Sequence, residues 1–408
     1  MRRERNRKMI QIAIMGFGTI GSGVYDVVNT NREVIKRNLG EELDVKYVLD
    51  LREFPGQPVE KVLVHDVDII MNDPEVKVVV ETMGGVEPAF TFVKKALMAG
   101  KSVATSNKEL VAKKGVELLE IARERSVNFF FGASVGGGIP IIRPLIRCLT
   151  ADDIEEVAGI LNGTTNYILT KMDREGTSFE AALKEAQDNG FAERKPEADV
   201  EGHDACRKIA ILSSIVLGKF VNFEDIYTEG ITKITTEDFM YARKLGWAIK
   251  LLASGKRVDG KVYAMVAPHL VKPEHPLYAV NDVFNGVMVH GNMVDDVMFY
   301  GRGAGSHATA SAVMADVLEA AAYPNETRYA GWTAEQQEIS DISTSEKQFL
   351  VRVKGGAEKE AALAQAFGAG TLVEAVEGEI GYLTPVMSEA DFGKACESME
   401  VISRIRVK

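Results

Sequence analysis

Cysteine is nearly missing from this chain: Cys148, Cys206 and Cys396 are the three in 408 residues, odd in number and scattered. That spacing offers neither a disulfide framework nor a metal knuckle and points to a reducing cytoplasm. Histidine is scarce as well. His65, His203, His269, His275, His290 and His307 show no H-x-x-x-H spacing, which argues against zinc. No apolar run approaches the roughly 20 residues of a membrane span. Positive charge is in deficit: 48 Lys and Arg against 59 Asp and Glu leave a formal charge of −11, so neither nucleic acid nor membrane is an expected partner. The opening run M-R-R-E-R-N-R-K is read as a short solvated tail rather than a targeting fragment, because a strand follows at once.

What the chain does have is length for two or three domains, ordinary apolar content at 46%, and glycine placed where it carries meaning. Met9 to Met15 reads as a strand, G-F-G-T-I-G-S-G follows, and V-Y-D-V-V-N-T continues as a helix. This is G-x-G-x-x-G between a strand and a helix, the setting that makes it a dinucleotide fingerprint. Gly16 allows the tight turn, Gly18 the approach of a pyrophosphate, and Gly21 close helix–strand packing. Phe17, Thr19 and Ile20 complete the loop, and the helix start offers amide hydrogens to phosphate. A second strand, D-V-K-Y-V-L-D, ends at Asp50, an acid able to bind the ribose hydroxyls of NAD. Arg52 is near enough to hold a 2′-phosphate instead; the acid favours NAD.

Strand patterns at 67–72, 76–85, 102–105 and 127–132 alternate with helices at 88–100 and 109–125. That rhythm predicts a Rossmann-type α/β domain with a doubly wound parallel sheet over residues 1–137, ligands meeting its strand ends. Thr82, Gly84, Ser106, Asn107 and Lys108 fall at such ends. A cation at a helix start is unfavourable, so Lys108 hints at a task. A glycine-rich hinge at 132–140 leads to residues 138–300, where strands at 155–161, 262–271, 286–291 and 296–300 mix with helices at 163–172, 178–190, 204–218 and 237–254. These predict an α+β mixed-sheet substrate and dimerisation domain. A second glycine turn opens a small-residue helix, and 301–325 is expected to pack back on the first domain.

Within the middle domain, Glu193 to Lys208 crowds carboxylates and cations ahead of an apolar helix, with Asp204 and Lys208 one turn apart on one face. An exposed ion pair of that kind contributes about 0.3–0.5 kcal/mol. A partly dry lysine beside carboxylates is instead suited to proton transfer. After a polar linker at 333–346, residues 346–408 read βαββαβ, a small ferredoxin-like unit.

Taken in order, Gly16–Gly21, Thr105–Lys108, Ala133–Pro140, Gly159–Tyr167, Glu193–Lys208 and Gly301–Gly305 resemble the successive motifs of the homoserine dehydrogenases over residues 9–320. The resemblance implies NAD(P)-dependent interconversion of L-aspartate 4-semialdehyde and L-homoserine, a step toward threonine, methionine and isoleucine. It implies Lys208 as proton donor and Lys108 beside the nicotinamide, with Asp199 and Asp204 holding two ammonium groups near one oxygen. It implies that Glu193 and Asp204 bind substrate, that Thr164, Thr165 and Tyr167 shape the pocket, and that Gly190 and Gly305 approach the cofactor. It further implies a sodium-type cation on the carbonyls of Gly132, Val135, Gly137 and Ile139, and a homodimer or homotetramer. The tail is similar to an ACT module, which pairs between subunits or takes an amino-acid effector.

Three positions depart from the family pattern. Gly132 replaces a usual glutamate, Ser306-His307 follow Gly305 where a proline turn is common, and Leu49 stands where arginine helps hold NADP. The last favours NAD. Two rival readings compete with this one: a non-catalytic amino-acid sensor, and an aldehyde-oxidising enzyme, which needs an activated cysteine. Cys148 and Cys206 sit in helix-like apolar stretches, against the second rival. No aspartate-kinase segment is visible within this length.

Overall fold

The computed structural model describes residues 9–328 and 331–408; the basic opening run lies outside them. The described chain divides into two compact units, one running to Ala151 with Ser214–Phe220 and Arg302–Gln337, the other holding Asp152–Ser213, Val221–Gly301 and Glu338–Lys408.

The first unit is built on six strands: β1 (Ile10–Met15), β2 (Leu43–Leu49), β3 (Leu63–Val64), β4 (Val76–Glu81), β5 (Ser102–Thr105) and β6 (Phe129–Phe130). All pair in parallel in the order β3-β2-β1-β4-β5-β6. The order reverses between β1 and β4, and the crevice at that reversal is where such sheets take ligands. Near-continuous apolar strands mark a sheet covered on both faces, and Ile12, Ile14, Val78 and Val80 are buried with Val24 and Val28 of the helix Thr19–Thr30. Helix Ser306–Ala322 adds Ala310, Val313, Met314 and Val317 to that core. Its small residues allow a close approach: a Cβ on Gly23 would stand 2.5 Å from Ser306 Oγ.

The second unit carries one long mixed sheet, running through 295–302, 284–291, β7 (Ile154–Ile160), 248–258, 261–271, 401–407, 346–354, 379–383 and 371–373. The tail has the expected βαββαβ order, with helices Glu360–Phe367 and Glu389–Glu397 covering Phe349, Val351, Val353, Ile380 and Tyr382. It shares the sheet of the substrate region, because its last strand pairs in parallel with Lys261–Val271 at His269↔Arg406 and Leu270↔Val407. Buried ions brace that junction. Arg406 reaches Glu229 at 2.8 Å as well as Glu389, and Arg352 reaches Asp238 at 2.7 Å and Glu379 at 2.6 Å. Lys408 pairs with buried Glu156.

The structure corrects three local expectations. Residues 67–72 form a helix, Val67–Asn72, begun by Asp66 accepting from Asp68 N at 2.9 Å; Val67 and Ile70 are buried one turn apart while Ile69 is exposed. The 237–254 helix stops at Leu245, where Gly246 takes φ +75, and Ala248–Val258 becomes a strand paired along its length with 261–271. Apolar runs of that kind fit either state, and sheet pairing decides. The 333–346 stretch is partly ordered, with Thr333–Gln336 paired to Lys219–Phe220.

Candidate active site

In the first unit the glycine loop follows β1. Gly16 sits at φ +95, where a side chain is strained. A Cβ on Gly21 would fall 1.9 Å from Gly16 O, so only glycine lets helix and strand close. Gly18 is the opposite case: nothing lies within 4 Å of the Cβ direction. Its open face and a helix start with no side-chain cap and no acid in the first turn fit a pyrophosphate. Asp50 accepts from Phe17 N at 2.8 Å and from Arg52 Nε and Nη2 at 2.9 Å. The Arg52 guanidinium holds the Asp50 carboxyl well below the usual range. The residues present fit a nicotinamide dinucleotide.

The ends of β4 and β5 are organised by Glu81, a residue that no motif in the sequence singles out. It is fully buried and accepts from Met83 N at 2.7 Å, Gly84 N at 3.3 Å and Thr105 Oγ1 at 2.6 Å. Burial pushes its carboxyl up against those donors. The one available signal is an acid at the end of V-K-V-V-V-E. Thr82 Oγ1 donates to Gly16 O at 2.9 Å, tying β4 to the glycine loop. Asn107 caps the helix Lys108–Glu124 by accepting from Leu110 N at 3.1 Å, which sets Lys108 at its first position beside Ser106 and Asn107. Gly305, at φ +125, precedes the helix Ser306–Ala322, again with open space on its Cβ side.

The expected cation carbonyls lie along the turn Ala133–Gly136 and just beyond it. Gly132 N donates to Asp316 Oδ2 at 2.7 Å, and a Cβ at 132 would stand 2.8 Å from Asp316 Oδ1. The Asp316 carboxylate therefore occupies the space of the missing side chain. Arg143 joins it at 2.7 Å, and burial raises the Asp316 carboxyl to about 6 against the pull of that guanidinium. Val135 is buried, Gly137 has φ +54, and Ile139 O accepts from Ile141 N at 2.9 Å.

In the second unit the charged stretch folds so that Asp204 and Lys208 lie on helix His203–Leu217, one turn apart, 5% and 8% exposed. Lys208 Nζ is 2.7 Å from Asp204 Oδ2 and donates to Leu161 O at 2.7 Å, at the end of β7. This is a buried pair, not a solvated one. Asn162 follows Leu161; it stands inside the motif Gly159–Tyr167, but the sequence gives it no role of its own. Its Nδ2 donates to Asp199 Oδ1 at 2.7 Å and to Asp204 Oδ2 at 2.9 Å, and its Oδ1 accepts from Thr165 N at 2.9 Å, capping helix Gly163–Glu175. An asparagine before an apolar helix is legible as a cap. The two carboxylates it reaches are not.

Thr164 Oγ1 donates to Phe191 O at 2.6 Å, and Thr165 is buried against Asn162. Tyr167 donates to Glu185 Oε1 at 2.7 Å, and burial followed by that bond pushes its phenol up. Gly190 takes φ +73 after helix Phe179–Asp188. Glu193 is exposed, with its main-chain oxygen accepting from Gln187 Nε2 at 2.9 Å, so the structure does not draw its side chain into the buried cluster. Cys206 is buried and its thiol is pushed up by burial, whereas Cys148 is exposed rather than in an apolar setting. On a hairpin, His290, Asp295 and Asp296 bring ligand atoms within 4.8 Å of one another, half-buried to exposed. No helix among the described residues is long and apolar enough to cross a membrane.

Comparison with known proteins finds two matching family profiles. Residues 16–132 match the NAD-binding domain of homoserine dehydrogenase, and residues 140–318 match the homoserine dehydrogenase family profile. The homoserine dehydrogenase of Bacillus subtilis is 43% identical over 314 residues, covering 76% of this chain and 72% of that protein. The crystal structure of a homoserine dehydrogenase from Thiobacillus denitrificans superposes with a TM-score of 0.89 at 34% identity, covering 98% of each chain. A hyperthermophilic archaeal homoserine dehydrogenase mutant, solved in complex with NADPH, gives 0.66 at 28% identity over 76% of this chain and 97% of that one. With the dinucleotide loop, the buried Asp204–Lys208 pair and the full-length likeness together, the chain belongs to the homoserine dehydrogenase family of NAD(P)-dependent oxidoreductases.

Proposed function

We propose that this enzyme reversibly reduces L-aspartate 4-semialdehyde to L-homoserine, with Lys208 as the proton donor. The observation that carries the assignment is the buried Lys208 ammonium, fixed by Asp204 Oδ2 and Leu161 O. A reduced nicotinamide held by the glycine loop would supply the hydride for the aldehyde carbon and be left oxidised. The carbonyl oxygen then needs a proton, and an ammonium can both stabilise the developing alkoxide and deliver it. Two of its three N–H groups point at protein oxygens; the third is assigned to the substrate. Asp204 is also assigned the substrate hydroxyl, Asp199 adds negative charge, Thr164 and Tyr167 shape the pocket, and Glu193 is assigned the α-ammonium. Lys108 is assigned a place beside the nicotinamide, and Gly190 and Gly305 a place against the cofactor.

NAD is the favoured coenzyme, supported by Asp50 at the end of β2 and by Leu49 before it. The carbonyls of Gly132, Val135, Gly137 and Ile139 are assigned to a monovalent cation. The functional domains are taken as 1–137, 138–300 and 346–408, the assembly as a homodimer or homotetramer, and the setting as cytoplasmic, which three free thiols support. The tail is read as ACT-like. A cavity of about 520 Å³ between its last strand and 227–234, with Glu201, Glu229, Lys233 and Arg404 in its wall, supports a zwitterionic amino-acid effector.

The test is oxidation of L-homoserine with NAD and NADP side by side, in the parent and in Lys208→Ala. Turnover in the parent and a fall in kcat of about 10³-fold in the variant are expected. Near-parental turnover of Lys208→Ala overturns the proton-donor role, and no turnover in the parent favours the sensor.

A further inference from the structure

Asn162 is a neutral side chain set among charges. Its Nδ2 stands 2.7 Å from Asp199 Oδ1 and 2.9 Å from Asp204 Oδ2, and the residue is 6% exposed. A primary amide has two N–H donors, one for each carboxylate. Its Oδ1 faces the helix start and takes Thr165 N at 2.9 Å and Thr165 Oγ1 at 3.1 Å. Those partners fix the amide orientation, since the flipped form would aim oxygen at two carboxylates and NH2 at a backbone N–H. Asp204 Oδ2 is shared between this amide and Lys208 Nζ. The preceding residue supplies the other oxygen on Lys208, Leu161 O. One dipeptide at the end of β7 thus holds both partners of the lysine.

The choice of residue matters electrostatically. Two carboxylates near one nitrogen repel each other, and a buried polar group without a partner is costly. An amide gives each a donor while leaving their charge to act on the ammonium. A lysine at 162 would cancel that charge, and an aspartate would add a third acid.

We propose that Asn162 is a positioning residue for the reaction: it spaces Asp199 from Asp204 and, through Asp204, places Lys208 on the substrate oxygen. The inference rests on Lys208 as proton donor, and the two fail separately. Active Lys208→Ala removes the donor; inactive Lys208→Ala with normal position-162 variants removes only this inference.

Two variants keep the helix cap, because Ser and Asp both cap helix starts well, and both lose the amide donors. Asn162→Ser should lower kcat for L-homoserine oxidation about tenfold, and Asn162→Asp about 100-fold, with coenzyme KM unchanged. In Asn162→Asp alone the pH profile of kcat should move to higher pH, since a third carboxylate favours the charged ammonium. Parental kcat and pH profile in both variants would overturn the proposal, as would a loss that follows Tm in each. If Asn162→Asp does not fold, Asn162→Ser decides alone.

Discussion

The two units solve the problem of holding charge in different materials. The first presents backbone: glycines, a helix start and strand ends, with few charges inside. The second presents side chains, and it buries ions to do so: Arg352 and Asp238 are 2% and 0% exposed, Arg406 is 2%, and Lys250 is 2%. A diphosphate is a large anion that main-chain N–H groups can cradle. A group that gives or takes a proton is a titrating side chain, and here Lys208 is buried against Asp204, which Asn162 joins to Asp199. Burying such groups is tolerated only when each is paired with an opposite charge or hydrogen-bonded. Backbone sites therefore follow from local geometry, while side-chain sites depend on partners far along the chain.

Breaking one ion pair in each unit tests this most strongly. Arg352→Met leaves Asp238 and Glu379 without their shared guanidinium and should lower unfolding free energy by about 3–5 kcal/mol in urea titrations. Arg143→Met in the first unit should cost less, because Arg143 is 36% exposed on its side chain and Asp316, raised to about 6, can take up a proton. Equal losses would erase the distinction.

The glycine loop sharpens it from the other side. Gly21→Ala forces a Cβ to 1.9 Å from Gly16 O and should lower Tm by several degrees. Gly18→Ala meets no atom within 4 Å and should leave Tm unchanged while raising coenzyme KM about tenfold. A Gly18→Ala enzyme with parental KM would remove the pyrophosphate from that face.

The smallest effect belongs to Lys250, whose Nζ donates to Val280 O at 2.6 Å and Asn281 Oδ1 at 2.8 Å. Burial lowers it from 10.5 to about 8. The folded protein then holds fewer protons than the unfolded chain between those values, so this group stabilises the fold as pH rises through 8 and the gain is lost as pH falls. Relative to Lys250→Met, the parent should gain about 1 kcal/mol between pH 7 and 9. A constant difference across that range would contradict the assignment.

Legibility in the sequence follows the same line. The parallel sheet is readable because each βα unit carries its own punctuation: β1, the glycine turn and the helix Thr19–Thr30 lie within about twenty residues of one another. The tail is readable for the same reason. The strand Ala248–Val258 is not, since A-I-K-L-L-A-S-G suits a helix as well and its partner strand settles the matter. Helix Val67–Asn72 passes for a strand because a short apolar run has too few residues to show a period. At the site, Asp204 and Lys208 are legible by their i,i+4 spacing. Glu81 and the reach of Asn162 are not, because a lone acid or amide shows its role only through its neighbours.

Residues close together in the chain were enough to give the family, the dinucleotide loop, the order of the elements and the helical pairing of Asp204 with Lys208. Folding alone made that pair dry, joined Asp199 to Asp204 through Asn162, and added the last strand of the tail to the substrate sheet. Burial and hydrogen bonding are properties of distant segments brought together, and no local pattern encodes which distant partner arrives.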